Sequence, residues 1–439
     1  MTETAEKVLG KVTISQEIVK DIKKNVSNIT GFEKKIRDYS RQDTTDFLSA
    51  ILFGAINLES SDVHIEPQED RVRLRIRIDG ILRDVIFFEE STYNSLLSRL
   101  KLLSNIKLNI SEKPQDGRFT IVVEDLFIEI RTSSLPSEKG ESIVMRVLNP
   151  KNLMALDTLG LRNDVYALLE KELAKPNGMI AVAGPTGSGK TTTLYAFLMK
   201  IQNPGIKIIT IEDPIEYHLT GVSQTQVAPE KGYDFSEGLA SIVRQDPDVI
   251  LVGEIRDSKT AKIALQAALT GHLVLTTIHT NDAAGTIPRL VDLGASVSSI
   301  APALKMIVGE RLIRKVCQEC SVFAKPSPKE LLEIKKGLKN VSSQTSIPKD
   351  LDKIKIARVK EKMCKTCSFT GYKGRKGLFE VMIVDPKMEK FILTNPPVSA
   401  IKKMAVKNGM ITMYQSGLIE VVSGQTTLDE VKRVIEADE

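Results

Sequence analysis

Residues 184–191 read GPTGSGKT, a spacing that suits a site for nucleotide phosphates. The glycines let backbone N–H groups curve around phosphate oxygens because no Cβ stands in the way, and the following helix points its positive end at them. Lys190 would reach the β- and γ-phosphates, and the Thr191 hydroxyl would ligate Mg²⁺. The predicted cradle for a nucleoside triphosphate comprises Gly184, Pro185, Thr186, Gly187, Ser188, Gly189, Lys190, Thr191 and Thr192.

Polar side chains end three of the apolar segments that follow this loop. Glu212 ends KIITIE, Glu254 ends DVILVGE and His279 ends HLVLTTIH. Because ligands sit at the carboxyl ends of the strands in an open α/β sheet, we expect the three ends to converge beside the loop. Glu254 follows its hydrophobic run as a Walker B acid does, which suits a base or a residue that positions water. For Glu254 alone, a surface acid at a strand end stays the alternative.

The segments that must position these residues alternate between strand and helix patterns from about residue 151. Four short, β-branched runs are typical of strands buried on both faces of a parallel sheet, at 178–184, 207–212, 248–254 and 272–279. The helix after the loop has an apolar stripe at helical spacing, made of Leu194, Phe197, Leu198 and Ile201. These patterns predict an α/β domain.

The upstream part of the chain predicts a mixed α+β domain. A capped helix begins at Thr44, a second is expected around 92–104, and RFTIVVEDLFIEIRTSS indicates two strands joined near Glu124. Residues 71–80 alternate between arginines and aliphatic side chains, which indicates a half-buried strand whose arginine face meets solvent or an acidic partner. Residues 1–40 are lysine-rich without a strong period and are expected to form a short helical or partly disordered tail.

The overall composition is that of a globular protein of several domains. A chain of 439 residues exceeds what one core usually fills, so about two to four domains are expected. No apolar run approaches the roughly 18 residues that span a bilayer, and the charged N-terminus is not a secretory signal. We therefore expect a cytoplasmic location.

Four cysteines form two C-x-x-C pairs with 43 residues between them. Two such pairs in a cytosolic chain predict a tetrahedral site, for which zinc is the first choice and iron the alternative. Disulfides are disfavoured in that compartment. Four thiolates leave no open coordination position, so the ion would stabilise a small lobe rather than take part in chemistry. The ligands would be Cys317, Cys320, Cys364 and Cys367.

The same part of the chain is basic. Residues 321–363 contain 11 Lys and Arg against 5 Asp and Glu. The pattern fits a solvated lysine-rich surface, contact with an anionic membrane surface, or contact with nucleic acid. These three interpretations stay open on charge alone.

Several longer motifs resemble those of the secretion ATPases, the family that powers type II secretion, type IV pilus assembly and related DNA-uptake machines. ITIEDPIEYHLTGVSQTQV, GLASIVRQDPDVILVGEIRD and TGHLVLTTIHTNDA resemble the Asp box, Walker B motif and His box of that family. SDVHIEP and PQDGRF upstream, and CKTCSFTGYKGRKGLFEV downstream, are similar too. The resemblance runs from about residue 44 nearly to the end of the chain.

This resemblance assigns roles that the loop alone does not. It implies that Glu254 is the catalytic glutamate of an ATPase and that His279 senses the γ-phosphate. Arg118 and Arg131 are similar to the family's arginines, which reach from the N-terminal domain to the nucleotide and stabilise charge on the phosphoryl group. The other nucleotide-site residues that it implies are Glu212, Asp213 and Glu216 of the Asp box and His272 of the His box.

The implied fold class is α/β. A RecA-like P-loop core with a parallel sheet would follow a smaller α+β domain and precede a small Cys₄ metal-binding lobe and a helical C-terminal region. The predicted segments are a tail at 1–40, the α+β domain at 41–150, the ATPase domain at 151–312, the tetracysteine element at 313–372 and the helical domain at 373–439.

The implied function is that of a homohexameric motor with ATP, Mg²⁺ and Zn²⁺ as cofactors. It would drive an inner-membrane platform protein that polymerises pilin-like subunits, working in the cytoplasm against the inner face of an anionic membrane. The tetracysteine element favours an assembly or secretion type, since retraction-type relatives lack it. The alternative is a DNA-uptake or conjugation-type translocation motor, but the chain has no Trp and only 5% aromatic residues for stacking on bases. A nucleotide-dependent scaffold fits poorly with the intact set of Lys190, Glu212, Glu254 and His279.

Overall fold

The computed structural model describes residues 10–339, 341, 347–348, 350–359 and 364–437. Its contacts divide the chain into two units. One contains Met1–Asn152 with Glu361–Lys373, and the other contains Leu153–Lys360 with Gly374–Glu439. In the described ranges, no helix combines the length and the apolar character needed to cross a bilayer.

The first unit is built on a seven-stranded sheet with the strand order β1-β5-β6-β7-β2-β3-β4. The edge strand β1 pairs in parallel with β5, while β2 to β7 pair antiparallel. Its elements are β1 (Lys11–Thr13), α1 (Gln16–Asn25), α2 (Ile29–Tyr39), α3 (Thr44–Asn57), β2 (Asp62–Pro67), β3 (Val72–Ile78), β4 (Ile81–Phe88), α4 (Glu90–Leu103), β5 (Gln115–Val123), β6 (Leu126–Ser137) and β7 (Gly140–Leu148). The predicted helices and strands of this region are present, and the turn at Glu124 joins β5 to β6.

The N-terminal segment packs into the core of this unit, which differs from the tail predicted for residues 1–40. Ile18 and Ile22 of α1 and Phe32 and Ile36 of α2 are buried in the same cluster as the sheet. Both helices are amphipathic, so the lysines face solvent while one apolar stripe packs inward. Residues 1–9 lie outside the described residues.

The arginine face of β3 meets an acid from the neighbouring strand. Glu66 on β2 accepts from Arg73 at 3.1 Å and from Arg75 at 2.5 Å. The opposite face of β3 buries aliphatic side chains, as the alternation predicts. The acidic partner is therefore part of the sheet itself.

A buried ion pair joins α4 to the sheet. The side chains of Lys101 and Glu141 are 3% and 5% exposed and in direct contact. Lys101 Nζ also donates to the carbonyl oxygen of Ile110 at 2.8 Å, and Ser134 Oγ donates to the other oxygen of Glu141. Both charges are thus paired and hydrogen-bonded, the condition under which a buried pair is tolerated.

Lys101→Met is expected to lower the free energy of unfolding of the first unit by about 3–5 kcal/mol, because Glu141 would remain buried without its cation. Chemical denaturation followed by circular dichroism measures the loss. Adding Glu141→Gln to this variant should recover part of the stability. Lys34→Met, at an exposed position of α2, is the control and should change stability by no more than about 0.5 kcal/mol. Equal stability of the Lys101 and Lys34 variants would contradict the expectation.

The second unit is built on a seven-stranded sheet with the order β10-β9-β11-β12-β8-β13-β16. The strands from β10 to β13 in this order pair in parallel. The elements up to the last parallel strand are α5 (Asn163–Leu173), β8 (Gly178–Ala183), α6 (Lys190–Ile201), β9 (Ile208–Glu212), β10 (Ser223–Gln226), α7 (Phe235–Ile242), β11 (Val249–Val252), α8 (Ser258–Leu269), β12 (Leu273–Ile278), α9 (Thr286–Asp292), α10 (Val297–Ala303) and β13 (Leu304–Val316).

The remaining elements form a two-stranded sheet, an edge strand and a helical region. The two-stranded sheet pairs β14 with β15 antiparallel. The elements are β14 (Val322–Ala324), α11 (Pro328–Leu338), β15 (Ile356–Arg358), β16 (Tyr372–Ile383), α12 (Pro386–Ile392), α13 (Val398–Lys407), α14 (Met413–Val422) and α15 (Leu428–Val434). Part of the basic stretch 321–363 lies outside the described residues, namely 340, 342–346, 349 and 360–363.

The predicted parallel sheet is confirmed. Every residue of β8, β9, β11 and β12 is buried, because helices cover both faces of the sheet. The predicted stripe on α6 packs against it, with Leu194, Phe197 and Leu198 in the core.

One buried carboxylate connects two distant segments of this unit. Glu380 on β16 is 1% exposed. Its two oxygens accept from the backbone N–H groups of Ala283, in the loop after β12, and of Met413, the first residue of α14, both at 2.9 Å. The C-terminal helices are therefore fixed to a loop that leaves the carboxyl end of the sheet.

Candidate active site

The loop from Gly184 to Gly189 connects β8 to α6 at the carboxyl end of the sheet. Gly187 and Gly189 have φ angles of +78° and +111°, a left-handed conformation that L side chains rarely adopt. Gly189 is the residue before α6, and no side chain caps the helix there. The first N–H groups of α6 are therefore available to an anion.

This geometry fits a bound polyphosphate. A Cβ added to Gly187 would enter open space, so the loop is open on that side. Ser188 Oγ is buried and has no hydrogen-bond partner among the described residues. Uncapped amides at a helix N-terminus attract phosphate oxygens through their partial positive charge. Thr191 and Thr192 are the second and third residues of α6 and are half-buried.

Lys190 lies folded back onto the loop. Its Nζ donates to the carbonyl oxygens of Gly184 at 2.8 Å and Pro185 at 2.9 Å. Burial lowers the pKa of Lys190, and the charges of Glu310 and Glu254 oppose that shift. Among the described residues, the hydrogen bonds of this ammonium group go to neutral carbonyl oxygens, which it can exchange for phosphate oxygens.

Glu254 and His279 lie together just beyond the ends of adjacent parallel strands. Glu254 follows β11 and is 8% exposed, and His279 follows β12. His279 Nε2 is 3.4 Å from Glu254 Oε2, while Arg256 donates to the other oxygen at 2.5 Å. Thr277 Oγ1 donates to the carbonyl oxygen of Gly253 at 2.7 Å. This hydrogen bond links the carboxyl end of β12 to that of β11. The structure thus brings these two predicted residues together.

Burial, aided by the charge of Lys190, favours the neutral form of His279. Burial and the Lys190 charge lower the pKa of His279 below its ordinary 6.5, with Glu254 acting in the opposite direction. A neutral imidazole at pH 7 can donate one hydrogen bond without adding positive charge next to Lys190.

The Asp-box residues differ in their placement. Glu212, at the end of β9, is buried and its carboxylate accepts from Tyr195, from Thr210 at 2.5 Å and from Gln224 at 3.1 Å. Asp213 is exposed, and Glu216 is half-buried and contributes to the electrostatic potential at Lys190. Across the described ranges, no hydrogen bond or ion pair joins Glu212 to the loop.

His272 does not lie at this end of the sheet. It precedes β12, so about six strand residues, or roughly 20 Å, separate it from His279. Its Nδ1 is 3.0 Å from the carbonyl oxygen of Ala267 at the C-terminus of α8. The nucleotide-binding role expected for His272 is therefore not supported by its position, because the two histidines of the box occupy opposite ends of one strand.

Arg118 and Arg131 are direct neighbours across strands β5 and β6 of the first unit. Arg118 is exposed, and Arg131 contacts Glu129 at 3.5 Å. Like charges directly opposite each other on a sheet repel. Arg131 is thus paired with an acid of its own strand, while Arg118 is exposed.

Sequence reasoning missed Glu310, which lies beneath the loop. It belongs to β13, the strand paired with β8, and is 3% exposed. A Cβ on Gly189 would overlap Glu310 Oε1, so the acid touches the last residue of the loop. In the sequence VGERLIRK it looks like a surface charge followed by three basic residues, and the burial of β13 is what distinguishes it.

The four cysteines form a compact thiol cluster. Their ligand atoms all lie within 4.8 Å of one another, a separation that a single tetrahedral ion could bridge. Cys367 Sγ also accepts from the backbone N–H of Gly371 at 3.2 Å, a bond that stabilises a thiolate. The cluster consists of Cys317, Cys320, Cys364 and Cys367.

Sequence comparison confirms the predicted resemblance. Residues 39–433 match the family described as "Type II/IV secretion system protein". The chain is 39% identical over 432 residues to a putative type II secretion system protein E of Escherichia coli strain K12, covering 96% of this chain and 84% of that protein. It is 38% identical over 435 residues to the type IV pilus assembly ATPase PilB of Thermus thermophilus, covering 98% of this chain but only 47% of that relative.

A solved structure agrees with the fold. The crystal structure of the pilus retraction motor PilT with bound ADP superposes with a TM-score of 0.58 at 27% identity. The match covers 87% of this chain and 95% of that one. This chain is therefore similar to a protein whose structure contains ADP. It has a strand, a glycine-rich loop and an uncapped helix in succession.

Proposed function

Because the chain belongs to the family of type II/IV secretion system proteins, we propose that it is an ATP-hydrolysing motor that drives assembly of a type II secretion pseudopilus or a type IV pilus. The observation that carries the proposal is the contact of Glu254 with His279 at adjacent strand ends. Lys190, whose pKa is affected by the charge of Glu254, lies within electrostatic reach of this pair.

Different residues of the site would carry out different steps of ATP hydrolysis. Amides of the loop and of α6 would bind the β- and γ-phosphates, and Lys190 would exchange its carbonyl partners for phosphate oxygens. Glu254, held by Arg256, would orient the attacking water and accept its proton. The single N–H of the neutral His279, which faces Glu254 here, would instead donate to the γ-phosphate. Mg²⁺ on the Thr191 hydroxyl, with help from Asp213 and Glu216, would neutralise charge on the phosphates.

The motor would act as a homohexamer against an inner-membrane platform protein. Arg118 and Arg131 would supply positive charge to the phosphoryl group during the cycle. The basic segment 321–363 would contact anionic lipid, which places the protein in the cytoplasm at the inner face of the membrane. Nucleic acid is the less favoured partner, since the segment has a single aromatic residue, Phe323, to stack on bases.

The experiment that tests this function measures ATP hydrolysis by the purified full chain with Mg²⁺. We expect hydrolysis, a hexamer in light scattering, and a higher rate with vesicles containing anionic phospholipid. Neutral phosphatidylcholine vesicles are the control. Strong stimulation by DNA with no response to anionic lipid would favour the DNA-uptake or conjugation-type motor, and an absence of hydrolysis under every condition would reject the proposal.

The purified protein is expected to contain about one zinc ion per chain, because four clustered thiols satisfy zinc completely. Elemental analysis by mass spectrometry measures the content and distinguishes zinc from iron. Cys364→Ser should lose the ion and lower the melting temperature. Ser368→Ala, a change next to the cluster that removes no thiol, is the matched control and should keep the metal. A folded wild-type chain without metal would contradict the assignment.

A further inference from the structure

Glu310 spans the phosphate-binding loop from beneath. Its backbone oxygen would lie 2.6 Å from a Cβ on Gly184, the first residue of the loop, and its side chain reaches Gly189, the last. Both ends of the loop are therefore packed on one residue of β13. A change in the charge or size of that residue acts on the whole cradle.

The surroundings of Glu310 do not suit a carboxylate anion. In the part of the chain that the structure describes, Ser188 Oγ and Glu310 Oε2 are buried and make no hydrogen bond of good geometry, and the Thr193 hydroxyl lies close to the carboxyl group without completing one. A buried charge is tolerated when it is paired and fully hydrogen-bonded, and the hydrogen bonding of Oε2 is incomplete. The neutral acid is the form that this packing favours.

Lys190 is the charged side chain that acts on Glu310, from the start of α6. The neighbouring charges of Glu254 and Arg311 act on Lys190 instead. Burial raises the pKa of Glu310 to about 8, and the Thr193 hydroxyl and the Lys190 charge offset this only in part. The folded-state pKa is thus raised above the ordinary 4.5, so the group is neutral at pH 7 and ionises as the pH rises through about 8.

We propose that Glu310 is a positioning residue of the nucleotide site, which supports the phosphate-binding loop as a neutral carboxylic acid and couples phosphate affinity to that proton. Loss of the proton places a negative charge beside the loop. That charge attracts Lys190 away from the phosphates and repels the phosphates themselves. This inference rests on the proposed nucleotide site. It adds that nucleotide affinity depends on whether Glu310 is protonated.

The test compares the dissociation constant of ADP with Mg²⁺ for the wild type and Glu310→Gln between pH 6.5 and 9.5. Glutamine keeps the volume and the neutral state, so both proteins should bind within about twofold of each other at pH 7. Above pH 8 the wild-type dissociation constant should rise by up to about tenfold per pH unit, the limit for one coupled proton. The variant should lack this rise and show only the weakening that loss of the Lys190 proton causes.

Calorimetry gives an independent readout that a merely structural role would not change. ADP is titrated at pH 8.5 in two buffers of different ionisation enthalpy. The wild type should take up a fraction of a proton on binding, and Glu310→Gln should take up less, only the part that the coupling to Lys190 contributes. Glu170→Gln, a surface change on α5 that removes the acid paired with Lys200, should behave as the wild type. Thermal unfolding at each pH checks that the proteins stay folded.

The outcomes separate the two proposals. Parallel pH profiles for wild type and Glu310→Gln, or equal proton uptake, would overturn the role of Glu310 while leaving the nucleotide site intact. Failure of the wild type to bind ADP at pH 7 would instead reject the nucleotide site on which the inference depends.

Discussion

Glu254→Gln is expected to lower the kcat of ATP hydrolysis by about 10²–10⁴-fold, the usual contribution of a positioned general base. Glutamine keeps the shape of the side chain and still accepts a hydrogen bond, but it cannot take a proton from water. ATP should still bind, because Lys190 and the amides of α6 are unchanged. Steady-state phosphate release gives kcat, and equilibrium binding of ATP gives the dissociation constant.

The contact of Glu254 with His279 predicts how the variant should affect ATP affinity compared with kcat. In the wild type, Glu254 Oε2 lies 3.4 Å from His279 Nε2, and in the variant that position is occupied by an amide oxygen or nitrogen. The ATP dissociation constant should therefore change by far less than kcat. Glu237→Gln, an exposed acid of α7, is the matched control and should hydrolyse ATP at the wild-type rate. Unchanged turnover of Glu254→Gln would remove Glu254 from the role of base.

Arg118→Gln and Arg131→Gln are each expected to lower kcat by about 10³-fold or more, the range measured when an arginine that stabilises phosphoryl transfer is removed. A guanidinium group stabilises charge that develops on the equatorial oxygens of the transferring group, and glutamine supplies no charge there. The pair lies side by side on β5 and β6, so loss of one arginine leaves the other to face the anion alone. Single-turnover hydrolysis measures the chemical step directly.

A matched control exists on the same sheet. Arg83 belongs to β4, at the opposite edge of the strand order from β1 and β5. Arg83→Gln should leave kcat within about twofold of the wild type, since it removes the same charge from a site that no proposed step uses. If the Arg118 and Arg131 variants hydrolysed ATP as fast as the Arg83 variant, the catalytic role of both arginines would be rejected.

Features with short sequence separation could be predicted from the sequence. The loop is defined by three closely spaced glycines and Lys190, and the strands of the sheet are defined by continuous runs rich in β-branched residues. Glu254 and His279 could be assigned to one site because parallel strands place their carboxyl ends at the same edge. The same rule places His272 at the opposite edge, because His272 precedes β12 and His279 follows it. The position of His272 could therefore also have been predicted from the sequence.

Other features depend on packing that no local pattern records. Glu310 is followed by Arg311 in sequence, and its burial follows from the position of β13 next to β8. Glu212 ends its strand as predicted, but Tyr195 and Gln224, from α6 and β10, determine what its carboxylate binds. The N-terminal helices carry many lysines, and their inward stripe is recognisable only once a sheet exists to receive Phe32 and Ile36.

The carboxylate of Glu380 has a consequence for local unfolding. Moving the loop at Ala283 away from α14 leaves one oxygen of a buried carboxylate without its donor, at a cost of about 1–3 kcal/mol or more. The free energy needed to open the segment just after His279 therefore includes a contribution from a helix far later in the chain. Hydrogen exchange at Ala283 and at Met413 then reports on one cooperative unit rather than two.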